Sequence, residues 1–172
     1  MMTPARIKLA CAIAALLSAG VWLGGIFVLG AIVAPTVFRE VAMPASADAM
    51  THVFVSFDRL AMSAAAVVAV AEVVRMRFSD AGPTRLDVAR LAAATLAGSC
   101  AIVQGLWLSP AIVNLHQRGA IRGLGELGLE LERFHAWSER CGKTETLLVA
   151  VFIGLLAHSL STRDFQPGGS TT

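Results

Sequence analysis

The sequence predicts an all-α integral membrane protein, a four-helix bundle with an amphipathic helix leading into its fourth span. Three observations carry this expectation. Hydrophobic residues make up 56% of the chain and charged residues only 15%, too little polar surface for a soluble domain of this length. The apolar residues gather into four long runs, each near the roughly 20 residues that a helix needs to cross a hydrocarbon core. Most charges, and all the prolines, lie outside those runs.

The first span, 9–34, carries no charge from Leu9 to Ala34 and stops at Pro35, with Arg39 and Glu40 just beyond. Its length implies a tilted helix or an end that projects from the bilayer. Arg6 and Lys8 before the run and Leu17-Ser18-Ala19 within it loosely match a secretory signal. The apolar run continues far past that point, so it reads as an uncleaved span. A lipoprotein box at Cys11 fails because Lys8 stands where an aliphatic residue is needed.

The second span, 53–74, is centred on Leu60 to Val74, opens after Asp58 and Arg59, and closes at Arg75 and Arg77; Val53 to Phe57 supply the missing turn. The third, 91–109, is uncharged from Leu91 to Leu108 and ends at Ser109 and Pro110. The fourth, 134–160, has an apolar part from Thr146 to Leu160 with His158 as its ionisable group, and a helix entering through Phe134 and Trp137 completes the crossing. Residues 1–163 are expected to form a single membrane domain and 164–172 a disordered tail.

Between spans two and three, Arg75 to Arg90 forms a compact turn carrying Gly82 and Pro83. The long connection from Ala111 to about Lys143 is different in kind. Leu124, Leu127, Leu131 and Phe134 recur there at helical spacing, with Glu126, Glu130 and Arg133 on other faces, which predicts an amphipathic helix feeding the fourth span. Glu139 and Lys143, four apart, are placed to pair on it. An even number of crossings puts both termini on one side. Lys and Arg divide seven against seven between the two sides, and the near-membrane Arg6, Lys8, Arg75 and Arg77 favour cytoplasmic termini.

A formal charge of +2 without a basic, aromatic-interleaved run excludes nucleic acid as a partner. The three cysteines, Cys11, Cys100 and Cys141, have neither metal-type nor redox-type spacing. No nucleophile elbow, phosphate loop, zinc signature or paired catalytic carboxylates appear, so no catalytic residue, metal or cofactor is assigned.

Close packing of membrane helices favours small residues four apart. The third span supplies Ala93, Ala97, Ala101 and Gly105, the second Ala61, Ala65 and Ala69, and the first Gly20 and Gly24. Against these stripes Gln104 adjoins Ala101 and Gly105, Glu72 follows Ala69, and His158 follows Ala150 and Gly154, so all three are expected to face the bundle interior. An ionisable group inside a membrane costs at least ~2.5 kcal/mol at the bilayer centre, which makes such residues functional candidates. Glu72 also lies within a turn of Arg75, with which it can pair. His135 sits where the amphipathic helix should meet the membrane, three residues before Ser138; His52 and His116 read as loop surface. A bis-histidine haem site needs two histidines deep in facing helices, and His158 alone approaches that.

Gly20-Val-Trp22-Leu-Gly24-Gly25, then Pro35-Thr-Val-Phe38, then Gly105-Leu-Trp107-Leu-Ser-Pro110, then Phe134-His135-Ala-Trp-Ser138 occur in that order. Together they resemble the transmembrane protein 205-like family, a bacterial and eukaryotic domain of unknown function. The matching positions are Trp22, Gly24, Pro35, Phe38, Pro110, His135 and Ser138. The resemblance implies a four-span bundle without an established activity. This chain departs from the family in the fourth helix, where Glu139, Arg140, Gly142, Lys143 and Glu145 intervene. A second resemblance, to copper-resistance membrane domains, rests on Trp22-Leu23-Gly24-Gly25.

Three functions follow as expectations. The first is a non-enzymatic bundle that handles a small solute or ion, or supports membrane stress tolerance, with Glu72, Gln104, His135 and His158 lining a polar interior. The second is a metal- or haem-binding membrane protein relying on His135 and His158. The third is an accessory subunit, packed through its small-residue stripes onto other membrane helices or a second copy within the lipid bilayer.

Overall fold

The computed structural model describes residues 3–78 and 82–164. Among these, six α-helices and two short π-helical turns build four long rods. The first rod joins α1 (Pro4–Val28) through a π turn (Leu29–Val33) to α2 (Ala34–Glu40). The second is α3 (Ala45–Arg77). The third joins α4 (Arg85–Val103) through a π turn (Gln104–Leu108) to α5 (Ser109–Gln117), and the fourth is α6 (Gly125–Asp164). All four rods are long and apolar enough to cross a membrane, and the chain is a membrane-embedded protein. Rods of 33 to 37 residues span about 50–55 Å at 1.5 Å per residue, more than a ~30 Å hydrocarbon core, so the bundle projects beyond the bilayer.

Proline explains both π turns. It lacks an N–H, and its ring clashes with the carbonyl four residues back. At Pro35 and Pro110 the ladder widens just upstream: the N–H of Ala34 bonds the Leu29 carbonyl and that of Ser109 the Gln104 carbonyl, each five residues back. The helix continues instead of breaking. At the start of α4, the Thr84 hydroxyl accepts from the Asp87 N–H while the Asp87 carboxylate accepts from the Thr84 N–H, a reciprocal cap. Gly119, with φ +79°, lets the chain turn away after α5.

The rods form a closed ring in which α1 packs on α3, α3 on α4, α4 on α6 and α6 back on α1. Their common core is built from Ala15, Ala19, Trp22, Ala61, Val68, Ala97, Val149, Phe152 and Leu156, among others. A second small core, Leu115, Ala120 and Leu131 with Ile112, Leu127 and Phe134 packed against it, ties the first half of α6 to the end of the third rod. This is the amphipathic lead-in, continuous with the fourth span; Leu124 stays outside it, exposed and ahead of the helix. Lys143 and Glu139 pair at 2.6 Å on its solvent face.

The packing stripes divide. Ala61, Ala65, Ala93, Ala97 and Ala101 are buried between the rods, with Ala69 and Gly105 half-buried. Gly20 and Gly24 instead face outward, and a Cβ on either would meet nothing within 4 Å. The inward face of α1 is Ala12, Ala15, Ala19 and Trp22; burying the large indole outweighs burying two glycines. In α6 the same choice turns Ala150, Gly154 and His158 outward, because the buried face runs through Glu145, Val149, Phe152, Leu156 and Ser159. Of the expected C-terminal tail, Asp164 ends α6 and residues 165–172 lie outside the described residues.

Candidate functional site

The polar groups inside the bundle occupy separate tiers along its axis. The first tier lies about halfway along the rods, where the uncharged stretch of α6 begins. Trp22 Nε1 of α1 donates to Glu145 Oε1 of α6 at 2.6 Å. The Ser109 hydroxyl at the head of α5 donates to Asp58 Oδ2 of α3 at 2.5 Å. Gln104 Nε2 donates to Ser138 Oγ at 2.5 Å, and Cys141 Sγ donates to the Cys100 carbonyl at 3.3 Å. Glu145 and Asp58 are 4% and 6% exposed. Among the described residues, neither carboxyl has a cationic side chain as partner; their recorded donors are an indole and a hydroxyl.

Two local features admit this layer. Gly105 lets the third rod approach α3, since a Cβ there would lie 3.2 Å from Asp58 Cβ and 2.9 Å from Met62 Cε. The π turn that begins at Gln104 adds a residue to the helix, which sets the phase that turns Ser109 toward Asp58. One atom is left over: Gln104 Oε1 is shut off from solvent without a hydrogen-bond partner among the described residues. Turning the amide over would strand the –NH2 group instead.

Below Trp22, the bundle closes over a seam lined by Ala19, Val68, Ala94, Ala97, Val149 and Phe152, with no room for a water molecule. The next tier is ionic. Glu72 accepts from Arg75 Nη1 at 2.7 Å and from Arg90 Nε at 3.1 Å. Arg90 also donates to Asp87 through Nη2, and Asp87 holds Thr84. All four charged residues are buried. Two acids balance two bases, and the set clasps the end of α3 to the start of α4.

The predicted polar interior is thus redistributed. Glu72 belongs to the clasp and Gln104 to the central layer. His135 is half-buried, with its ring 6.1 Å from that of His116 in an edge-on arrangement near the start of α6. His116 is therefore not simple loop surface. His158 is exposed on the outer face of α6; 23 residues along one helix from His135, it lies about 35 Å away, too far for one metal ion or haem to bridge the two. Among the described residues, no group of three or more His, Cys, Asp or Glu is placed to hold a metal. Of the motif positions, Trp22 and Ser138 enter the layer, Pro35 and Pro110 shape the π turns, and Gly24 and Phe38 face outward.

Sequence reasoning missed Asp58, Glu145, Asp87 and Arg90 because it took charges as span boundaries. A signal was there. Asp58 precedes Ala61 and Ala65 by three and seven, and Glu145 precedes Val149, Phe152 and Leu156 by four, seven and eleven, so each continues the buried face of its helix.

Neither a curated protein nor a solved structure matches the chain. A family model described as a domain of unknown function, DUF4149, matches residues 17–120. That stretch is more than half of the chain and takes in Trp22, Asp58, the ionic clasp, both π turns and Ser109, ending before α6. On this match the chain belongs to the DUF4149 family.

Proposed function

We propose that the chain is a non-enzymatic, multi-pass protein of the bacterial cytoplasmic membrane, both termini cytoplasmic, that handles a small cationic solute or ion through its central polar layer. One observation carries this reading: Asp58 and Glu145 are buried carboxyl groups held by neutral donors. An isolated carboxylate in a low-dielectric interior is strongly disfavoured unless a cation or proton neutralises it. The ionic clasp lacks that property, since its charges already balance. The resemblance to the transmembrane protein 205-like family supports a four-span architecture without an established activity. Nucleic acid has no place in this reading, and the lipid bilayer is the standing partner.

The test is ion flux and ion binding in proteoliposomes, comparing the chain with the Asp58→Asn/Glu145→Gln double variant. The expected result is uptake or binding of at least one of H+, Na+ or K+ that the double variant abolishes. Equal behaviour of the two proteins across all three ions would reject the reading.

A second reading, an accessory or self-associating subunit, draws on the outward-facing pair Gly20 and Gly24. A Gly-xxx-Gly pair on a lipid-facing helix suits close contact with another helix. Replacing both by leucine should dissociate any complex isolated in mild detergent; a monomer from the outset would discard this second reading.

A further inference from the structure

We propose that the ion taken by the central layer is a proton, carried on Glu145. The inference rests on the ion-handling reading above and names the ion. Three observations point to a proton. Glu145 is 4% exposed and its recorded donor, the Trp22 indole, is neutral and rigidly placed, so this bond survives whether the carboxyl is charged or neutral. The seam directly beneath Trp22 leaves no space for a water molecule, so a hydrated metal cation in the layer has no passage through it. Gln104 Oε1 is a buried acceptor lacking a donor in the same layer, the complement of a proton-bearing group.

The groups that surround Glu145 sharpen the case. Trp22 faces it from α1, and the same layer holds Asp58 on α3, the Cys100 carbonyl on α4 and Cys141 one turn earlier on α6. None of these is a cation.

The experiment is infrared titration of the full chain in lipid nanodiscs, following the C=O stretch of protonated carboxylic acids in H2O and D2O. The expected wild-type result is a solvent-exchangeable acid band at neutral pH. Glu145→Gln should remove the band's principal component. Trp22→Phe keeps the carboxyl and should shift the band's frequency by removing the indole hydrogen bond, which holds the test open if Glu145→Gln folds poorly. A band unchanged in Glu145→Gln, or no acid band in the wild type, overturns the proposal. Parallel 22Na+ binding separates the two levels: sodium binding lost in Glu145→Gln without any acid band rejects the proton and keeps the ion-handling reading, whereas loss of neither rejects both.

Discussion

The indole of Trp22 and the carboxyl of Glu145 meet at 2.6 Å across 123 residues of sequence, joining the first rod to the last at mid-height. Buried hydrogen bonds to a carboxyl group are worth about 1–3 kcal/mol in water-soluble proteins and about 0.6–2 kcal/mol in membranes. Trp22→Phe, which keeps the ring and removes the donor, should therefore destabilise the protein by about 1–2 kcal/mol. Reversible unfolding in mixed micelles measures this. A double-mutant cycle with Glu145→Met, which lacks the acceptor, should return a coupling energy clearly different from zero; additivity would show that the bond contributes nothing.

Removing Glu72 takes away the buried carboxylate that Arg75 and Arg90 share. Breaking one member out of a buried ionic set costs about 3–5 kcal/mol, so Glu72→Ala should be among the most damaging single changes in the chain. Glu72→Gln keeps the shape and one acceptor and should cost less. Thermal unfolding of detergent-solubilised protein ranks the two, and the reverse order would show that the clasp does not hold α3 to α4.

Gly105 and Gly24 make a matched contrast. A Cβ at Gly105 meets Met62 and Asp58 at 2.9 and 3.2 Å, whereas one at Gly24 meets nothing. Gly24→Ala should be neutral or stabilising by up to about 1 kcal/mol, the helix-propensity gain over glycine. Gly105→Val should destabilise by about 1–3 kcal/mol through overpacking and should also weaken ion binding by displacing Asp58. Melting temperatures and binding assays on the two variants decide it.

Thr84→Ala removes the hydroxyl that accepts from the Asp87 N–H. Losing such a cap costs about 1 kcal/mol, and a further loss is expected because Asp87 also positions Arg90. Amide hydrogen exchange should show faster opening in the first turn of α4 than in its middle; uniform protection would contradict the role of the cap.

The architecture was legible in the sequence because bilayer thickness writes itself as apolar length: 9–34 and Leu91 to Leu108 lie inside observed rods, and the period of Leu127, Leu131 and Phe134 points to the amphipathic first half of α6. Faces were harder. Small-residue spacing located the buried stripes of α3 and α4 yet inverted those of α1 and α6, where Trp22 and Phe152 set the phase. Sites were hardest, since Glu145 acquires meaning only from Trp22, and Asp58 only from Ser109 and Gly105, partners that no local window contains. Of the four residues expected to share a polar interior, Glu72 and Gln104 are on separate tiers, His135 pairs with His116, and His158 is exposed on the bundle's outer face.

Each π turn before Pro35 and Pro110 holds one residue more than an α-helix of the same rise, and one residue is about 100° of rotation. The angular bookkeeping of the first and third rods therefore restarts at each proline: positions that share a face upstream diverge downstream. Deleting a single residue inside Gln104–Leu108 would do what no substitution can, swinging Ser109 and all of α5 by that angle away from Asp58 while leaving Ala93, Ala97 and Ala101 where they are. The extra residue acts as an indexing step, decoupling the half of the rod that seals the bundle from the half that furnishes its polar layer.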